Sequence, residues 1–476
     1  MGRTSKVVTS GLLVCALAAV SVPVGLQVIP AFFPLDPGSV VVLPAAQQAP
    51  TSLGEISGVS PLAATAPIPD PGALSAGLKK ALMFDGEGTF SMYVTDALTG
   101  ETLFSQDGEK ARTPASNLKL LTAGAVLKTL GPSTQFSTQA IAGSKANEIV
   151  LLAGGDSLLT AGASRADSTM GHAGLATLAQ QTAKTLATAG VTGPATLSID
   201  DTLFTGPALN PKWGDGDVEV GEIAPIFPMA LYAGRYIPGV LSGPRPQDSA
   251  VAVAEAFAQA LEDAGVKTTG AITRGKAPPP ADGAGTNQPG AVLGTVKSAS
   301  VTEQVRYMLE ESDNYVAEVL GRMTAAKLGK EASNSGAVAA VRQVVQELGL
   351  EMTGISITDN SGLAAGNLIS SQQLVQMLSL MLADPAAEIG QALPGLPIAG
   401  LTGSLAHRFV SAPSLDGAGL VRAKTGSLNL VTSLSGYVVN SQGRLLVFSM
   451  MANGLTGGPI PARSVVDRAA SVLASS

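Results

Sequence analysis

Cysteine is almost absent: the 476 residues contain one, Cys15. A lone thiol excludes a disulfide framework, and with two histidines, His172 and His407, there is no Cys/His cluster for structural zinc. No G-x-S-x-G elbow, H-E-x-x-H pair or phosphate-cradling glycine loop occurs, so a Ser-His-Asp triad and zinc hydrolysis are both disfavoured. No cofactor and no metal are expected. The histidines read as surface or hydrogen-bonded residues. Positive charge is also short, 29 Lys and Arg against 36 Asp and Glu, which argues against a nucleic-acid partner. Only 14% of the chain is charged and 45% is hydrophobic, enough to bury two or three cores.

Charge is missing altogether between Val7 and Leu35, directly after Arg3 and Lys6. A basic front and an apolar middle are the layout of an export signal, so the protein is expected to be exported to the extracytoplasmic cell envelope. The run exceeds the roughly 20 residues that span a bilayer. Pro23 and Pro30 interrupt it, however, and Ala16-Leu17-Ala18 offers small residues to a peptidase. Residues 1–35 thus read as a signal peptide or a membrane anchor, with cleavage favoured, and the membrane is met only through this segment if it is retained. Residues 36–77 are rich in Pro and Ala and read as a flexible spacer.

Beyond the spacer, Phe90–Thr95 and Thr102–Ser105 have strand character and form a hairpin. Leu420–Thr425, Thr432–Val439 and Arg444–Met451 supply three further strands near the C-terminus. Between these lie helical stretches Val301–Glu311, with a Ser300/Glu303 capping box, Tyr315–Leu328, Ala337–Leu348 and Ser371–Leu382; Ala462–Ala474 follows the last strand. First and last segments sharing one antiparallel sheet, with helices between, make an α+β plan. Residues 144–290 alternate strands (Glu148–Leu152, Ala195–Ile199) with helices (Gly174–Ala189, Ala250–Ala264) and end in a Pro/Gly-rich stretch. They read as an inserted smaller domain, leaving 78–143 and 291–476 as the catalytic body.

Chemistry concentrates in three short motifs. Ser116 and Lys119 lie three apart at the start of a helix that Thr113 could cap and Pro114 could open, which puts amine and hydroxyl on one face. Ser312-Asp313-Asn314 falls in the connection between two helices, where it could equally be an N-cap. Lys424-Thr425-Gly426-Ser427 ends a strand, where the lysine could equally be an edge residue. A serine hydroxyl needs a base, and a lysine becomes one only when burial or a second cation lowers its pKa. In that scheme Ser116 is the nucleophile and Lys119 its base, with Lys424 a candidate second cation. Ser312 could relay a proton to the leaving group, and Asn314 could bind Lys119 and a substrate amide. Lys424 and Thr425 could hold a substrate carboxylate, and the N–H groups of Ser116 and Ser427 could form an oxyanion hole.

In this order the motifs resemble the low-molecular-mass class C penicillin-binding proteins, the D-alanyl-D-alanine carboxypeptidase and endopeptidase family. Pro114 to Thr122 is similar to the family's first block, and Gly154-Gly155-Asp156, Asp200–Phe204, Trp213, Ser312–Tyr315 with Ala317-Glu318, Asp359–Leu363, Leu396–Gly400 and Lys424–Leu428 resemble later ones. The resemblance runs from about Leu78 to the C-terminus. It implies a serine β-lactamase and transpeptidase-like antiparallel sheet with helices, and an active site between sheet and helices. It implies a cell-envelope enzyme that cleaves D-Ala-D-Ala in peptidoglycan stem peptides through an acyl-enzyme, with β-lactam antibiotics as inhibitors. Ser157 after Asp156, where proline is common, and Ser404, where threonine is usual, depart from the pattern. A non-catalytic muropeptide or β-lactam sensor and a β-lactamase are the alternatives on the same fold.

Overall fold

The computed structural model describes residues 62–240, 242–281 and 288–476. The proposed export signal, Cys15 and most of the spacer lie outside the described residues. Among the described residues no helix is long and apolar enough to cross a membrane.

Helix α1 (Pro71–Ala81) begins where Asp70 accepts a hydrogen bond from the Ala73 N–H at 2.7 Å and proline opens the first turn. Residues 71–77, placed in the spacer on composition, are therefore helical, anchored by buried Leu74 and, one turn on, Leu78. Strands β1 (Thr89–Asp96) and β2 (Thr102–Gln106) form the expected hairpin and lead to α2 (Lys119–Leu130). Next come β3 (Ser137–Ala142), β4 (Glu148–Leu152), β5 (Asp156–Leu159), α3 (Leu175–Thr188), β6 (Thr196–Asp200), β7 (Met229–Leu231), α4 (Ser249–Asp263), β8 (Thr273–Arg274) and β9 (Val292–Lys297). Helices α5 (Val301–Glu310), α6 (Asn314–Lys327), α7 (Asn334–Glu347) and α8 (Ser371–Ala383) follow. The chain closes with β10 (Arg422–Leu428), β11 (Val431–Val439), β12 (Leu445–Asn453) and α9 (Ile460–Ser475).

The first sheet has the order β10-β11-β12-β1-β2, antiparallel throughout. Its middle strand β12 is apolar on both faces apart from Ser449 and the terminal Asn453, because it is buried on both sides. Leu446, Phe448 and Met450 meet α1 and α9 on one side, while Val447 and Met451 meet the helical core on the other. That helical core, built on Leu120, Leu127, Val305, Leu320 and Leu374, packs beneath the segment from Leu118 to Leu130.

The second sheet, β8-β6-β4-β3-β9, pairs β4, β6 and β8 in parallel and β4, β3 and β9 antiparallel. It starts at Ser137 and closes at Lys297, so its edges lie outside the 144–290 span drawn from the sequence. Strand β3 (Ser-Thr-Gln-Ala-Ile-Ala) carries only one strongly strand-forming aliphatic, which hides it from pattern reading. The middle of that span does not stay with the second sheet. Trp213, Ile223, Ile226 and Ala230 pack into the helical core instead.

Candidate active site

The chain enters the site through a 3-10 turn, Ala115–Leu118, that runs straight into α2. The expected cap at Thr113 is not made: Pro114 occupies the cap position with no side-chain bond. The reason is that this end is clamped by the sheet rather than left free. Ser433 Oγ donates to the Pro114 carbonyl at 2.7 Å, and Asn117 Nδ2 donates to Ser435 Oγ at 2.8 Å, itself bonded to Ser449 Oγ at 2.8 Å. Ala115 is held at φ 49°, a left-handed conformation that costs an L-residue energy and survives only where its surroundings impose it.

The clamp leaves Ser116 half-buried and Lys119 fully buried. Lys119 Nζ donates to Ser116 Oγ at 2.9 Å, to Asn314 Oδ1 at 2.7 Å and to the Ser361 carbonyl at 2.6 Å. Burial pushes its pKa down to about 8, against the pull of Asp359, Asp313, Glu318 and Glu222. An amine in that range, in contact with the hydroxyl, can take a proton near neutral pH.

Asp313 caps α6 through its bond from the Val316 N–H at 2.9 Å, so the N-cap reading holds for this residue. Ser312 sits at φ 57°, and the turn presents Ser312 and Asn314 to two different lysines. Asn314 bridges Lys119 and, through Nδ2 at 3.0 Å, the Glu222 carbonyl. Lys424 Nζ donates to Ser312 Oγ at 2.8 Å and to the Thr425 carbonyl at 2.9 Å. Burial first, then the Lys119 and Arg408 charges, lower the Lys424 pKa well below its ordinary value. Two clusters therefore stand side by side, Ser116-Lys119-Asn314 and Ser312-Lys424-Thr425, and the Lys119 charge disfavours protonation of Lys424. Thr425 Oγ1 lies 2.6 Å from Ser404 Oγ. Ser427 is exposed at the outer end of β10 and accepts from Arg463 at 3.2 Å.

Strand β10 continues through Gly426 and Ser427 to Leu428 instead of ending at the motif. Gly426 is needed for proximity, since a Cβ there would lie 2.2 Å from Ser433 Oγ and 2.8 Å from the Pro114 carbonyl.

Several supporting residues had no role assigned from the sequence. The Ser361 carbonyl that anchors Lys119 belongs to a turn held by Asp359, which accepts from Trp213 Nε1 at 3.0 Å, Gly362 N at 2.9 Å, Ala364 N at 2.8 Å and Asn367 Nδ2 at 2.7 Å. Glu318 holds the same turn by accepting from the N–H groups of Asn360 at 2.9 Å and Ser361 at 2.8 Å. Burial, then the Asp359 charge, raise its pKa to about 7. Burial would push the Asp313 carboxyl up too, but Arg235, 2.6 Å away, and Arg245 more than offset that and hold it low. Trp213 and the Asp359 turn were visible only as blocks of family likeness; Glu222 and Arg235 carried no signal, because a carbonyl contact and a long-range ion pair leave none. Among the described residues no cluster of His, Cys, Asp and Glu could hold a metal ion.

The sequence matches the family model described as the D-Ala-D-Ala carboxypeptidase 3 (S13) family over residues 78–246 and 242–472. A carboxypeptidase of Mycobacterium tuberculosis is 33% identical over 401 residues, covering 83% of each chain. Carboxypeptidase DacB of Mycolicibacterium smegmatis is 31% identical over 423 residues, 88% of this chain and 87% of the relative. Among solved structures, penicillin-binding protein 4 (dacB) from Haemophilus influenzae superposes with a TM-score of 0.65 at 18% identity, covering 84% of this chain and 100% of that one, a likeness of fold. With a family match that spans most of its length, the chain belongs to the D-Ala-D-Ala carboxypeptidase 3 (S13) family of peptidases.

Proposed function

We propose that the protein acts outside the cytoplasm on peptidoglycan stem peptides, cleaving the D-Ala-D-Ala bond through an acyl-enzyme on Ser116, and that β-lactams acylate the same serine. The observation that carries this reading is the fully buried Lys119 amine, 2.9 Å from Ser116 Oγ and depressed to a pKa of about 8. Neutral Lys119 takes the hydroxyl proton as Ser116 Oγ attacks the carbonyl carbon of the penultimate residue. The N–H groups of Ser116 and Ser427 stabilise the oxyanion, and Lys424 and Thr425 receive the terminal carboxylate. When the C–N bond breaks, the proton that Lys119 took from Ser116 goes to the leaving amine, with Ser312, held by Lys424 at 2.8 Å, as the relay, and Lys119 is neutral again. Water, deprotonated by Lys119, then attacks the ester, and Lys119 returns that proton to Ser116 Oγ as the shortened peptide leaves as its acid. An endopeptidase action on cross-links uses the same steps with a larger leaving amine.

The test is purified protein with a D-Ala-D-Ala peptide and, in parallel, a fluorescent penicillin. D-Ala release and a stable label are expected, both lost in Ser116→Ala. Label without release points to a sensor, and rapid loss of label to a β-lactamase.

A further inference from the structure

Two guanidiniums, Arg463 and Arg408, stand near the outer end of β10. Arg463 donates directly to Ser427 Oγ at 3.2 Å, and Arg408 is near enough for its charge to act on both Arg463 and the buried Lys424. Among the described residues, the carboxylate that acts on both guanidiniums is Asp467. Asp467 is claimed by Arg408, which donates to it from Nε at 3.1 Å and also from Nη2. The charges acting on Arg463 are Arg408, which opposes its protonation, and Asp467, which favours it. Arg463 is thus left with a shared counter-ion and a neutral hydroxyl partner. Its position is also unfavourable in the helix: it sits in the first turn of α9, where the dipole disfavours a cation and favours an anion. A half-buried guanidinium in such a place would gain from an anion brought beside it.

We infer that Arg463, reaching in from α9 and acting with Ser427, adds to the hold that Lys424 and Thr425 have on the carboxylate of the leaving residue, and so sets how strongly a free acid is preferred over its amide. This rests on the acyl-transfer reading above and adds a specificity-determining residue that none of the three motifs contains. The Arg463 fork reaches the site from the C-terminal helix, and its Ser427 partner stands on the exposed end of β10 two residues past Thr425. A carboxylate seated at Thr425 and Ser427 would exchange the neutral hydroxyl for a charge-assisted contact with the guanidinium. Removing it affects binding of the acid and leaves the amide untouched.

The experiment uses the full chain with an acylated peptide ending in D-Ala-D-Ala, as the free acid and as the C-terminal amide, and penicillin as the free acid and as its methyl ester. In Arg463→Gln, KM for the acid is expected to rise by roughly tenfold to a hundredfold with kcat little changed, and the amide to change by less than about twofold. Arg463→Lys should restore part of the preference. Equal losses on acid and amide, or no loss on the acid, would overturn the inference. Should Arg463→Gln lose its cooperative melt, Arg463→Lys against wild type decides, an unchanged acid-to-amide ratio counting against the assignment. The penicillin pair separates this from failure of the peptidase reading. If wild type takes the label but releases no D-Ala, the acid-to-ester ratio of acylation still accepts or rejects Arg463, and a wild type inert to both probes sinks both ideas.

Discussion

A lysine that must serve as a base is a lysine the fold must destabilise. The drop of the Lys119 pKa from 10.5 to about 8 corresponds to about 3 kcal/mol. The unfolded chain binds the extra proton between those two values, so stability rises with pH across that window and the full penalty is present below it. Activity should follow the neutral amine: kcat/KM for D-Ala release is expected to climb with pH and level off above about 8. Lys119→Arg keeps the charge but cannot give up its proton, so a loss of at least about a thousandfold is expected without loss of the thermal transition. Glu318 offers a finer check. Its charge raises the Lys119 pKa, and its amide replacement can still accept from the N–H groups of Asn360 and Ser361. In Glu318→Gln the midpoint of the pH profile should move below about 8; a shift upward would show that Glu318 acts only by shaping the turn.

At the scale of elements, what sets the site is how closely β10, β11 and the Ser116 turn approach one another. Gly426 makes that possible, and Gly426→Ala would drive a Cβ into Ser433 Oγ and the Pro114 carbonyl. Overpacking of this kind costs roughly 1–3 kcal/mol. Thermal unfolding should register it, while the rate of penicillin labelling at Ser116 should fall by more than the stability loss alone implies, because the turn holding the nucleophile is displaced. Labelling at the wild-type rate would argue that the strand pair has slack. The same contact explains what pattern reading could and could not deliver. The strand read at Thr432–Val439, the helix read at Val301–Glu311 and the Ser300/Glu303 capping box are local signals, and the structure carries them as Val431–Val439, Val301–Glu310 and the same box. The end of β10 and the cap at Thr113 were misplaced because both depend on a partner hundreds of residues away: glycine in a strand reads as a break until the crossing backbone is known, and a threonine before a proline reads as a cap until Ser433 is seen to hold the turn.

For the molecule as a whole, the three motifs were legible because each is contiguous, whereas the polar supports behind them come from one residue at a time, and the segment between β3 and β9 contributes several. Ala142 N–H donates to the Ala291 carbonyl at 2.8 Å, so the chain leaves for the second sheet and returns at the same place. Geometry alone would permit excision of 144–290 with a short closing turn. Physics does not, because that span contains Trp213, Ile223, Ile226 and Ala230 in the helical core, the Glu222 carbonyl that orients Asn314, and Arg235. Excision removes both Arg235 and Arg245, leaving the Asp313 carboxylate buried with neither cation beside it, which alone costs on the order of 3–5 kcal/mol. The excised chain is therefore expected to show no cooperative melt and no penicillin labelling. The point variant Arg235→Gln should lower the melting temperature while the pH of maximal stability shifts downward. Arg235 holds the folded Asp313 pKa below the unfolded value, and that stability is present at neutral pH and lost as pH falls through the folded pKa. An excised chain that melts cooperatively and takes the label would mean that the catalytic body stands alone, and that Trp213, Glu222 and Arg235 lean on a site that does not need them.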